Sequence, residues 1–533
     1  MSEPTKKQSF LHGTALLALA AGIVKVIGAL YKIPLNIIFG ERGFAYYNTA
    51  YEIYSVLLTI SIAGLPVAMS RMISEATALG HYNQVRRIYK TSRALFFSLG
   101  LAGTLLMTLF CRQLAEFQKQ PDAWAAIGAL GPCLLLICIM GTYRGFFQGQ
   151  SNMTPTAVSQ VLEAVCKLIV GIAAAIALLH WTGSIAFAAA GAILGVTASC
   201  VLSTIYLGCR FRKAQRAMPV SGEPVASYGQ TLKSLLSIAI PITIGSAGLS
   251  ILTVLETRVF MGRLLSHGNE QEVVETMKGI YDMTKTIFNM PIAFISPIAI
   301  SIIPAITSTL ALGDHRATRA TEESSIRITG LICAPCAVGL MVLARPVTGL
   351  LGSYTGANLE LATTLMTILG GCILLYALIQ VTNAMMQSHG HANLPVINML
   401  VGGVLKLGAV YILTGDPKIG IIGAPLGTLL GYLIIVVMNM ITMRRCISHP
   451  PAVLRNLVRS ALSALIMGVV VLGVWLGIRK VLGADCSNLI QCVVPIGAGV
   501  LTYLVCAIKF KAITREDCLL LPKGDKIANL LHL

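Results

Sequence analysis

Windows of about twenty predominantly apolar residues recur from one end of the 533-residue chain to the other, and a helix of that length matches the hydrocarbon thickness of a bilayer. In hydrocarbon every backbone N–H and C=O must find its partner inside the segment, so such windows form helices. Fourteen of them lie at roughly 13–39, 48–72, 91–111, 124–147, 155–179, 184–208, 234–262, 281–310, 328–350, 361–386, 394–414, 419–443, 456–478 and 489–508. With 55% hydrophobic and 12% charged residues, the composition lies outside the range of soluble globular domains. The expected fold is an all-α polytopic membrane protein of fourteen transmembrane helices. The first window is too long for a signal-peptide core, contains charges and has no small-residue cleavage motif after it, so it reads as a retained span.

The formal net charge of +18 would suit nucleic acid or anionic lipid, and its distribution decides between them. Arg86, Arg87, Lys90 and Arg93 share one connection. Arg210, Arg212, Lys213 and Arg216 share another, as do Arg316 and Arg319, and then Arg444, Arg445 and Arg455. All four fall on one side if both termini are cytoplasmic, which is the positive-inside pattern. The basic excess is therefore a topology signal with an affinity for anionic leaflet lipid, not a nucleic-acid footprint. Most of the fourteen cysteines sit in apolar spans as small hydrophobes. Cys333-Ala-Pro-Cys336 has a redox spacing but no strand–loop–helix setting, so packing is its expected role.

The chain also repeats itself. Pro66-Val-Ala-Met-Ser70 in the second span recurs as Pro297-Ile-Ala-Ile-Ser301 in the eighth, and Gln148 and Lys167 stand at the same spacing as Gln387 and Lys406. Six spans per repeat make the halves parallel, as in transporters whose binding site lies between two lobes. The expected domains are an N-lobe at 1–215, a C-lobe at 216–446, and an appended helix pair with the tail at 447–533. Gly423, Gly427 and Gly431 mark a close helix-packing face on span twelve, and Pro34, Pro66, Pro241, Pro291, Pro297 and Pro304 are candidate hinges.

Ionisable groups inside spans are costly and mark function by default. Lys25 and Lys32 are seven residues apart on one face of the first span, a positive stripe suited to a negative ligand. The other candidates are Glu52 and Arg71 on span two, Glu163 and Lys167 on span five, Glu256 and Arg258 on span seven, Lys285 on span eight and Lys406 on span eleven. Glu163 and Lys167 are also placed for an intrahelical pair, and Arg71 for a lipid phosphate. His389-Gly-His391 lacks a third metal ligand, and no Walker loop or dinucleotide fingerprint is present. No cofactor is expected. Energy would come from the membrane potential, the substrate gradient or a coupling ion, Na⁺ or H⁺.

Tyr143-Arg-Gly-Phe-Phe-Gln-Gly-Gln-Ser-Asn152 and Thr154-Pro-Thr-Ala-Val-Ser-Gln-Val-Leu-Glu163 resemble the fourth-to-fifth-span signature of the stage V sporulation protein B-like polysaccharide-export subgroup. That subgroup belongs to the multidrug/oligosaccharidyl-lipid/polysaccharide (MOP) exporter superfamily, which also holds lipid II flippases and MATE drug antiporters. Gly64-Leu-Pro-Val-Ala-Met-Ser-Arg71 and Gly28-Ala-Leu-Tyr-Lys32 support the likeness, which spans essentially the whole chain. The resemblance implies that Lys25 matches a basic residue facing the substrate pyrophosphate. A second would fall at Tyr31, with Lys32 one step on, and an eighth-span arginine matches Lys285. The family's basic residue in the second span has no counterpart near Thr59. Lysine in place of arginine leaves point-charge contact without bidentate capture.

Together these readings point to a flippase that moves a lipid-linked oligosaccharide across the bacterial cytoplasmic membrane by alternating access. The cargo would be an undecaprenyl-pyrophosphate-linked peptidoglycan precursor such as lipid II, with its tail near spans thirteen and fourteen, as the resemblance implies. Lys25, Lys32, Lys285, Arg258 and Arg71 are the substrate-binding candidates, and Glu52, Glu163, Lys167 and Lys406 the coupling or cavity candidates. The expected protein is a monomer and not an enzyme. The alternatives are a cation-coupled MATE-like multidrug antiporter, which wants cavity carboxylates, and a membrane glycan polymerase or ligase. The latter usually needs a large outer loop, and the longest here is the connection 263–280.

Overall fold

The computed structural model describes residues 10–219, 222–448, 450–483, 487–510 and 512. Among them the chain is helical throughout and contains no strand, as an all-α polytopic membrane protein requires. Among the described residues, twelve helical stretches are long and apolar enough to cross a membrane, where the whole sequence suggests fourteen. The expected spans 13–39, from Leu30 onward, and 48–72 are joined in one stretch, Leu30–Ala78, which is kinked between them at Gly40. The chain divides into two compact units: one runs to Leu265 and adds Asn269–Gly279, and the other holds Ser266–Gly268 and everything from Ile280 onward.

The first unit contains α1 (Phe10–Ile62), α2 (Leu65–Ala78), α3 (Tyr82–Leu109), α4 (Cys111–Phe117), α5 (Trp124–Gly149), α6 (Thr154–Thr182), α7 (Ile185–Ala217) and most of α8 (Tyr228–Ser266). Helix α6 lies along α7 and α1, and α5 packs against α3, α7 and α2. Its core is aromatic: Tyr31, Tyr47, Tyr51 and Tyr54 form a ladder along α1 with ring centroids 6.2, 4.8 and 5.9 Å apart. Helix α1 is broken at Gly40, whose φ of 66° and ψ of −172° are open only to glycine. Pro34 lies within the helical run before it, so glycine and not the candidate hinge proline makes the break. Pro66 instead starts α2 in its first turn, where a missing N–H costs nothing.

The second unit takes in α9 (Gln271–Ala311) from Ile280, then α10 (His315–Val342), α11 (Ala344–Gly352), α12 (Gly356–Ser388), α13 (Asn393–Leu413), α14 (Gly423–Cys446), α15 (Val453–Leu482) and α16 (Asn488–Lys509). The expected outer loop 263–280 is largely helix, since α9 begins at Gln271. Gly423, Gly427 and Gly431 do form a packing face: a Cβ on each would lie 2.5–2.7 Å from atoms of Leu413 to Thr414, Val410 and Lys406, so α14 meets α13 nearly backbone to backbone. Gln148 and Gln387 sit near the C-terminal ends of α5 and α12, and Lys167 and Lys406 near the middles of α6 and α13, equivalent places in the repeat. Helices α15 and α16 pack on each other and on α10.

Candidate functional site

In the first unit, the chain just past the Gly40 break is bound by charge. Arg42 Nη1 lies 3.0 Å from Glu272 Oε1, its Nε 3.3 Å from Glu275 Oε2 and its Nη2 3.9 Å from Asp122 Oδ2. Tyr46 Oη donates to Glu275 Oε2 at 2.6 Å, and the Glu275 side chain is fully buried. One turn along α9, the fully buried Lys278 ammonium stands 3.6 Å from Glu52 Oε1. Arg258 donates to the Phe117 carbonyl and lies 4.1 Å above that ring, and Gln271 Nε2 donates to the Lys119 carbonyl at 2.7 Å. Thr49 and Gln120 are hydrogen-bonded as well. The first turns of α9 and the chain at 117–122 are thereby tied to the second arm of α1.

A pocket of about 320 Å³ opens in the same unit, lined by α1, α5 and α6, with Arg144, Gln160, Glu163 and Lys167 set in an otherwise largely apolar wall. Glu163 pairs with Arg144 of α5 at 3.0 Å and not with Lys167, the intrahelical partner its spacing offers. Arg144 Nε also donates to Ser159 Oγ at 3.1 Å, and this second anchor turns the guanidinium toward α6. The Lys167 ammonium lies 5.0 and 5.4 Å from the ring centroids of Tyr31 and Tyr51. Lys32 Nζ donates to Asn48 Oδ1 at 3.1 Å and stands 5.9 Å from the Phe44 ring. The Lys25 side chain lies outside those described, although its backbone is part of α1. Arg71 is exposed on α2.

In the second unit, Lys285 Nζ is 2.9 Å from Asp282 Oδ1 and 4.7 Å from the Tyr281 ring. Lys406 Nζ lies 5.9 Å from the Tyr432 ring, which itself packs 5.5 Å from Tyr376. An apolar cavity of about 550 Å³ is walled by α9, α10, α11, α15 and α16, with Ile287, Leu340, Val471 and Ile496 among its lining. Its one hydroxyl, that of Tyr503, donates out of it to the Leu331 carbonyl at 2.8 Å. Cys333 and Cys336 are free thiols, and Cys336 lines this cavity. His389 Nε2 meets Glu322 Oε1 at 2.8 Å, and no group of three metal ligands occurs among the described residues.

The structure brings Glu163 and Lys167 into one pocket and leaves Glu52 in a pair with a residue absent from the sequence shortlist. Arg42, Arg144, Glu275, Lys278 and Asp282 were all missed. A signal was available for the last three, because charges at 275, 278, 282 and 285 recur at three- and four-residue steps, the spacing of one helical face.

The family model described as polysaccharide biosynthesis protein matches residues 10–310. The chain is 26% identical over 483 residues to lipid II flippase MurJ of Bacillus subtilis (strain 168), covering 86% of this chain and 87% of that protein. It is 24% identical over 524 residues to stage V sporulation protein B of the same organism, covering 97% and 98%. Among solved structures, a lipid II flippase MurJ in an inward closed conformation superposes with a TM-score of 0.70 at 14% identity, over 93% of this chain and 98% of that one. An inward-facing MATE family transporter of the MOP superfamily gives 0.64 at 16%, over 80% and 93%. These superpositions establish a shared fold. With the match covering more than half its length, the chain belongs to the polysaccharide biosynthesis protein family, and it is a multi-pass integral membrane protein.

Proposed function

We propose that this protein is a flippase for a lipid-linked oligosaccharide, an undecaprenyl-pyrophosphate-linked peptidoglycan precursor of the lipid II type. It would move its cargo outward across the bacterial cytoplasmic membrane by alternating access, with both termini cytoplasmic. The observation that carries this reading is the 550 Å³ apolar cavity of the second unit, whose lining offers hydrocarbon and no polar grip, as a polyprenyl tail requires. Lys25, Lys32 and Lys285 would hold the pyrophosphate, with the phosphate competing against Asn48 for Lys32 and against Asp282 for Lys285. Arg71, exposed on α2, suits a lipid phosphate, while Arg258 is engaged at Phe117.

The inside-negative potential supplies the drive: two negative charges moved outward gain at most ~4.6 kcal/mol per 100 mV, so neither ATP nor a covalent step is needed. An antiporter would want unpaired cavity carboxylates. Glu52 and Glu163 instead carry Lys278 and Arg144 as partners, which argues for the flippase.

The test is complementation of a bacterium depleted of its lipid II flippases, with wild type, Lys25→Ala and Lys32→Ala at matched membrane abundance. Growth with wild type and failure of both variants is the expected result. Growth with all three would remove the lysine mechanism, and no growth with well-expressed wild type would remove lipid II as cargo.

A further inference from the structure

The pocket of the first unit holds more positive charge than its own residues neutralise. Arg144 is balanced by Glu163 at 3.0 Å, which leaves Lys167 as a net cation. Lys167 lies near the middle of α6, a 29-residue helix long enough to span the bilayer, where a charge is most costly. No carboxylate is in ion-pair contact with it among the described residues. The faces of Tyr31 and Tyr51, at 5.0 and 5.4 Å, offset only part of that cost. Gln160 also lines the pocket, and its amide has no hydrogen-bond partner among the described residues. Space is available, since a Cβ on Gly28 would meet nothing within 4 Å and the 320 Å³ volume holds about ten waters. An ammonium and an amide facing an open space of several waters are donors that lack an acceptor.

We propose that this pocket is an anion site for a single small oxyanion of the phosphate class, held by Lys167 and Gln160 beside the neutral Arg144–Glu163 pair. The oxyanion comes either from a lipid headgroup or from free phosphate, and the chemistry of recognition is the same. The Glu163 carboxylate is the built-in competitor: it occupies Arg144, which would otherwise be the stronger, bidentate phosphate ligand. Removing its charge recruits a second cation to the site.

The test is thermal unfolding of the full-length protein in phosphatidylcholine nanodiscs, titrated with inorganic phosphate at constant ionic strength. The wild type is expected to show a saturable rise in Tm, roughly 2–3 °C at a hundred times Kd. Lys167→Met and Gly28→Leu, the second filling the pocket, should abolish the rise. Lys167→Arg should keep it, which separates loss of the charge from loss of the fold. Glu163→Gln should lower the apparent Kd by roughly threefold or more, since Arg144 is then free. In discs containing phosphatidylglycerol, a Lys167-dependent loss of the phosphate response assigns the site to a headgroup, and an unchanged response assigns it to soluble phosphate. No saturable rise in the wild type, or an equal rise in Lys167→Met, overturns the proposal. Because the readout is binding, it stands or falls apart from the complementation result.

Discussion

Lys278 and Glu52 show what a single charge costs inside this molecule. The lysine side chain is fully buried, the glutamate is 11% exposed, and 3.6 Å separates them. Truncating one partner of such a pair removes part of what compensates the other's buried charge, whereas replacing both by apolar groups of similar size restores packing without charge. Lys278→Met is therefore expected to destabilise the protein by about 3–5 kcal/mol in denaturant unfolding, and the double variant Lys278→Met/Glu52→Met to recover most of that loss. Equal destabilisation of the single and double variants would show that the pair contributes nothing. Lys32 and Lys167 were legible in the sequence because each interrupts an apolar run. Glu275 and Lys278 were not, because they lie at the margin of a span, where charge reads as solvated. Only tertiary contacts with Arg42, Tyr46 and Glu52 make them interior residues. The Glu163 partner was misjudged for a related reason: helical spacing offers Lys167, but α5 brings Arg144 closer.

Among the elements, the break in α1 and the start of α9 form one device. A Cβ on Gly279 would sit 1.8 Å from the Glu41 carbonyl oxygen, so α9 reaches the broken turn of α1 backbone to backbone. Gly40 supplies the backbone angles of that turn. Gly40→Ala should cost about 1–3 kcal/mol through strain at a conformation reserved for glycine. Gly279→Val should cost at least as much, since neither backbone can yield without moving the Arg42 and Lys278 contacts. Melting temperatures of the purified variants check both, and an unchanged Tm for Gly279→Val would mean the approach is not tight. The small-residue stripe on α14 was readable in advance because four-residue spacing maps directly onto one helix face. The position of the Gly40 break was legible as well, since the first apolar window ends at 39 and Glu41 and Arg42 follow, but the glycine-only backbone angles at the break were not. What decides is the cluster of carboxylates that captures Arg42 immediately after it.

For the whole molecule, the alternation of basic connections predicts sidedness. Fusions of alkaline phosphatase, which matures only outside the reducing cytoplasm, should be active after Gly183, Gly268 and Asp416 and inactive after Gly80, Ser151 and Gly390. The reverse pattern would place the termini outside. The second unit's apolar cavity also bears on how a long isoprenoid would be recognised. Entering it from a bilayer exchanges one hydrocarbon surrounding for another, and lipid chains are as apolar as leucine, so the transfer releases almost no hydrophobic free energy. For such a cargo, selectivity would then reside in the headgroup, and the tail would serve as a leash that raises the local concentration of that headgroup. A carrier built this way would be nearly indifferent to how many isoprene units trail behind its cargo, provided that one end stays threaded in the wall.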